Sequence, residues 1–310
     1  MRNGRFYFLY FLIVIFYLIL TKPIIQVYNK NIKGITFIEN SGGEKMKKRF
    51  TLIMAIVLAF AAIFAVGCKE KKDEMDKNIY ESDYKTEATA EQIQTLNAAM
   101  GIDSEAPAIA DDSYKFLVKA ENSTINFVFS GLLDMSGEKP LVYASMKGTM
   151  TDETAGKTTM DNKFWFDGDT TVYMYMKTEA GSSNSELKYK ISVGDLADSA
   201  GDASDILNQI DPDSLMQNLK DMLDGTGSKI YADGNKYKIE GTFDPNFGGD
   251  TAESTAIPVI VYILLGDNGV SIKVELNAEG TKITADLRPT TEKVSLPKDA
   301  DKYTDMSGMM

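Results

Sequence analysis

Phe164-Trp165-Phe166-Asp167-Gly168-Asp169-Thr170-Thr171-Val172-Tyr173-Met174-Tyr175-Met176-Lys177 carries the pattern that decides the fold. Val172, Met174 and Met176 alternate with Tyr173, Tyr175 and Lys177, a period of two that places one set on each face of a β-strand. Phe164-Trp165-Phe166 ends a preceding strand, and Asp167-Gly168-Asp169 between them is a hairpin turn. Working outward, Ile125, Phe127 and Phe129 alternate with Thr124, Asn126 and Val128, and Val142, Ala144 and Met146 with Tyr143, Ser145 and Lys147. Leu187, Tyr189, Ile191 and Val193 form the next strand. Short strands joined by Gly, Asp and Asn turns predict an antiparallel meander from about residue 113.

The period changes on either side. Thr89-Ala90-Glu91-Gln92 has the capping-box pattern, with Ile93, Leu96 and Met100 at helical spacing and Gly101 as a stop. Residues 195–224 read as two helices, the second capped by Asp211 with Pro212 at its first position and striped by Leu215, Leu219, Met222 and Leu223. Strands then resume at 229–232, 236–243, 270–276 and 282–287. Residues 257–265 are apolar at both parities, which suits a central strand covered on both sides, with Pro258 at its start. The expected class is α+β.

Upstream, Met46-Lys47-Lys48-Arg49 precedes an apolar run from Phe50 to Val66, followed by Gly67-Cys68, the only cysteine in the chain. A basic start, a short apolar core and a small residue before the break make a secretory signal peptide. A short transmembrane helix is the rival, but the run is brief for a span of about 20 residues. A second apolar run, Phe6 to Leu20, precedes this signal. Gly42-Gly43-Glu44 can be encoded by a ribosome-binding sequence, which predicts translation from Met46 and makes residues 1–45 a leader outside the mature protein.

Residues 68–310 hold 24 basic and 43 acidic side chains, a net charge near −19 that repels nucleic acid and anionic headgroups. Residues 69–85 carry 11 charges in 17 positions and read, with Cys68, as a flexible tether ahead of a domain at 86–305. With no histidine in the chain, Ser-His-Asp and Cys-His catalysis are excluded, as are the usual histidine-containing zinc sites. Asp167 with Asp169, and Asp211 with Asp213, fit turn and cap roles rather than EF-hand spacing. Tyr143, Tyr173 and Tyr175 read as half-buried strand residues, with an exposed carbohydrate-binding strip as the alternative. No cofactor, metal site or catalytic residue is expected.

Ala65-Val66-Gly67-Cys68 resembles the lipobox of bacterial lipoproteins. That resemblance implies cleavage before Cys68 and diacylglycerol on its thiol, with palmitate-type acyl chains anchoring the protein to the extracytoplasmic side of the cell membrane. Stable anchoring takes two or more chains. The order of one helix, about five strands, two helices and five or six more strands, closing on Leu296-Pro297-Lys298-Asp299-Ala300-Asp301-Lys302-Tyr303, resembles LolA-like and LppX-like lipid carriers. It implies a curved antiparallel half-barrel with helices packed on one face, and a lipid, glycolipid or lipoprotein acyl chain between them. Candidate cavity residues are Phe127, Phe129, Met146, Phe164, Phe166, Met174 and Met176, where adaptable methionines suit irregular apolar ligands. The alternative is a structural or protein-interaction lipoprotein in which the same residues form a closed core.

Overall fold

Among the described residues the β-period of the sequence builds one curved, mostly antiparallel sheet of twelve strands. The computed structural model describes residues 75, 78–100, 113–137, 139–152, 156–192, 227–243, 257–267, 269–278 and 280–307. A first meander comprises β1 (Ser113–Glu121), β2 (Ile125–Asp134), β3 (Leu141–Asp152), β4 (Gly156–Phe166), β5 (Thr171–Ala180) and β6 (Ser183–Ser192). A second comprises β7 (Lys229–Asp233), β8 (Lys236–Phe243), β9 (Ile257–Gly266), β10 (Gly269–Ala278) and β11 (Thr281–Thr290). The two join where β1 pairs β11 antiparallel, Phe116 opposite Leu287 and Val118 opposite Ala285. The short β12 (Thr304–Asp305) adds parallel to β6. The strand order is therefore β12-β6-β5-β4-β3-β2-β1-β11-β10-β9-β8-β7.

Alternation puts apolar side chains on one face of this sheet and charges on the other. On the outer, charged face Lys238 pairs with Glu240 and Lys273 with Glu275, both at 2.5 Å. The predicted Asp167 turn is present. Its carboxylate accepts from the backbone nitrogens of Asp169, Thr170 and Thr171 at 2.9, 3.1 and 3.0 Å, and Asp169 instead pairs with Lys139 at 2.6 Å.

Among the described residues one helix is present, α1 (Ala90–Ala99). Its capping box is complete, with Thr89 Oγ1 accepting from the Gln92 amide and Gln92 Oε1 from the Thr89 amide. Leu96 and Met100 enter the core cluster on the apolar face. The helices expected over 195–224, with Asp211 and Asp213, lie outside the described residues, as do 1–67 and Cys68.

Residues 78–85, assigned above to a free tether, lie against the outer face instead. Tyr80 is 2 % exposed and donates to Asp286 at 2.9 Å, and Tyr84 donates to the Tyr80 carbonyl at 2.5 Å. The rings of both stand beside Tyr262, at 6.3 and 5.9 Å. The charge count hid this because it averages over the two tyrosines, whose rings bury area that the surrounding charges do not. The folded unit therefore begins by Asn78 rather than at residue 86.

The same segment then meets the β7 edge. Ala88 donates to Ile230 at 2.8 Å and Ala232 to Thr86 at 3.1 Å, and the chain passes to α1 on the apolar face. At the far edge Met306 donates to Lys190 at 2.9 Å. Segments from the two ends of the domain thus cap both open edges of the sheet, which otherwise present unpaired backbone to other chains.

Candidate ligand-binding face

Cross-strand register assembles the apolar face row by row, since directly opposed residues point the same way. One row runs Ile230, Ile239, Val261, Val274, Ala285, Val118, Phe129, Met146, Asn162, Met176, Leu187, through eleven strands. The neighbouring row includes Leu287, Phe116, Gly131, Ala144, Phe164, Met174 and Tyr189. All seven predicted cavity residues fall on this face of β2 to β5, and all are buried. Phe129 opposes Met146, Phe164 opposes Met174, and Phe166 opposes Val172. Phe127 opposes Gly148, and Met176 opposes Asn162.

Two glycines shape the floor of this face. A Cβ at Gly131 would strike the Phe116 ring at 2.6 Å as well as the Tyr143 carbonyl, and one at Gly148 would strike the Phe127 ring and the Asn126 carbonyl. Each ring reaches over bare backbone, a close approach that only glycine permits.

Two polar groups stand together beside Met176 on this face, and neither was assigned a polar role from the sequence. Asn162 is 2 % exposed, and its Oδ1 has no hydrogen-bond partner among the described residues. Tyr189 donates its hydroxyl to the Met176 sulfur at 3.3 Å, a weak acceptor. Burial pushes that phenol up to about 12. Both flank Met176, one directly opposite on β4 and one diagonally on β6. The row ends at Leu187, 49 % exposed, so the apolar face reaches solvent beside them. The inward parity of Asn162, two residues from Met160 and Phe164, was the available signal. It was overlooked because polar residues at core positions look like strand breaks.

The outer face carries a second concavity of about 290 Å³, lined by Met75, Asn78, Leu117, Lys119, Glu121, Lys273, Glu275, Lys282, Thr284, Asp286 and Arg288. Two of its cations are already held by its carboxylates, Lys273 by Glu275 and Arg288 by Asp286. The tyrosine strip is half-buried. Tyr143 stacks near Trp165 at 5.4 Å, and the buried Tyr303 sets its edge against Trp165 and Tyr173 at 6.5 and 5.7 Å. Lys163 and Lys188 lie over the Tyr175 ring.

Among the described residues no group of three or more His, Cys, Asp or Glu is placed to hold a metal ion, and no helix is long and apolar enough to cross a membrane. No protein-family model matches the chain, and a search of curated proteins finds no significant similarity.

Proposed function

We propose that this chain is a lipid-anchored envelope lipoprotein, held through acylated Cys68 on the extracytoplasmic side of the cell membrane. Its sheet acts as a half-barrel of the LolA-like and LppX-like kind and binds or carries an amphiphile without catalysing a reaction. The observation that carries this reading is the inward row from Ile230 to Leu187, apolar across eleven strands apart from Asn162 and backed by a charged outer face. Rings over Gly131 and Gly148 and four buried methionines on β3–β5, Met146, Met160, Met174 and Met176, give that face the adaptable floor an acyl chain requires. A rival reading, a structural lipoprotein with a closed core, is favoured by the depth of burial of Phe129, Met146, Phe164 and Met174.

Mass spectrometry of the purified full chain separates the two. A carrier releases a stoichiometric lipid on denaturation, and a closed core releases none. Cys68→Ala tests the anchor. The expected result is loss from the membrane fraction or retention of the uncleaved precursor; unchanged fractionation and mobility would remove the lipoprotein assignment.

A further inference from the structure

We infer that Asn162 and Tyr189 form the polar contact of the ligand site, receiving an oxygen-bearing group, an ester or hydroxyl, at the junction between the amphiphile's headgroup and its chains. The inference rests on the amphiphile-binding reading above. Asn162 is the single polar member of a row whose other ten members are apolar, and it is almost wholly buried with its carbonyl oxygen unpartnered among the described residues. Such a group carries a desolvation penalty unless something hydrogen-bonds to it. The unpartnered oxygen accepts, so a ligand hydroxyl satisfies it, while the amide N–H matches an adjoining ester carbonyl. Tyr189 supplies a hydroxyl on the other side of Met176, released from its sulfur contact at little cost because a thioether is a poor acceptor.

Placement adds direction. Both groups sit toward the β6 end, where Leu187 is open to solvent, while Phe116 and Phe127, close over Gly131 and Gly148, lie deeper along the face over β1 to β3. An amphiphile oriented by these groups holds its polar junction near the Leu187 opening and lays its chains toward the glycine floor. A purely apolar chain occupies the same floor without using either group.

The test uses the purified full chain and two photoactivatable probes of equal chain length, a diazirine-bearing monoacylglycerol and a diazirine-bearing alkane. Labelling is quantified by peptide mass spectrometry at limiting probe. Asn162→Leu keeps the branched shape of the side chain and removes the hydrogen bonding. Its monoacylglycerol labelling is expected to fall about tenfold while alkane labelling holds, and Tyr189→Phe is expected to reduce monoacylglycerol labelling less. Thermal melting by circular dichroism checks folding, and Asn162→Leu is expected to melt no lower than the parent. Equal monoacylglycerol labelling of parent and Asn162→Leu overturns the assignment while leaving the amphiphile reading intact. Absence of labelling by both probes in the parent removes the amphiphile reading itself, and this inference with it.

Discussion

Arg288 and Asp286 show how much rests on single side chains of the outer face. The guanidinium meets the carboxylate through two contacts, at 3.0 and 2.6 Å, with 3 % and 7 % of the two side chains exposed. Tyr80 donates to the same carboxylate, and its ring lies 5.6 Å from the guanidinium carbon. Removing one member of a buried pair strands the other, at about 3–5 kcal/mol, whereas replacing both with apolar residues is nearly neutral. Arg288→Met should therefore lower the urea midpoint sharply, and Asp286→Leu/Arg288→Met should recover most of it. If the double variant is as unstable as the single, the pair is needed for more than mutual compensation. Asp134 carries a pH dependence. Burial opposes its charge, but hydrogen bonds from Ser136 and Ser113 and the charge of Lys293 outweigh that and hold the carboxyl below its ordinary range. A carboxylate lowered in the folded state stabilises fully above the unfolded value of about 4 and loses that contribution as pH falls through the folded value. Asp134→Asn is expected to cost about 1.5 kcal/mol at pH 7 and to converge on the parent in strong acid, read by urea melts across pH 2–7. The Tyr80–Asp286 contact was not legible in the sequence, because its partners are 206 positions apart. By contrast the Thr89–Gln92 box was legible, its partners being three residues apart.

At the level of elements, alternation made the strands readable wherever the inward position is apolar. β5 is the clearest. β9, apolar at both parities, suits a strand covered on both sides, but its outward residues are only partly buried, and Pro258 falls near its start as its missing donor requires. β4 shows where the pattern runs out. Only Phe164 to Phe166 were recognised of a strand that begins at Gly156, because Asn162 occupies an inward position and the outward Asp161 and Lys163 adjoin it. The edge caps were invisible for a different reason: they are backbone interactions and leave no side-chain signature. Their importance is testable. Ala88→Pro deletes the donor to the Ile230 carbonyl, and Met306→Pro deletes the donor to the Lys190 carbonyl. Each should lower stability by at least about 1 kcal/mol, and the double variant should associate at concentrations where the parent stays dispersed, followed by light scattering. A double variant that scatters like the parent would show the edges to be protected by other means.

Across the whole molecule, two meanders of local hairpins meet at one long-range seam, β1 against β11. A chain ending at Ser192 contains every partner of β2 to β5 but leaves β1 with one neighbour. It should sediment as aggregate while the full chain remains soluble in the same buffer; a dispersed, strand-rich fragment would show the first meander to be self-sufficient. The seam has a further meaning for biosynthesis. Polypeptides emerge N-terminus first, at about 5–20 residues per second. Ser113–Glu121 is therefore finished early, yet its second neighbour, Thr281–Thr290, is nearly the last strand to be made. For most of its manufacture the nascent protein carries an adhesive border along β1, and a holding chaperone that grips extended backbone has its natural landing place there until the final hairpins arrive to seal it.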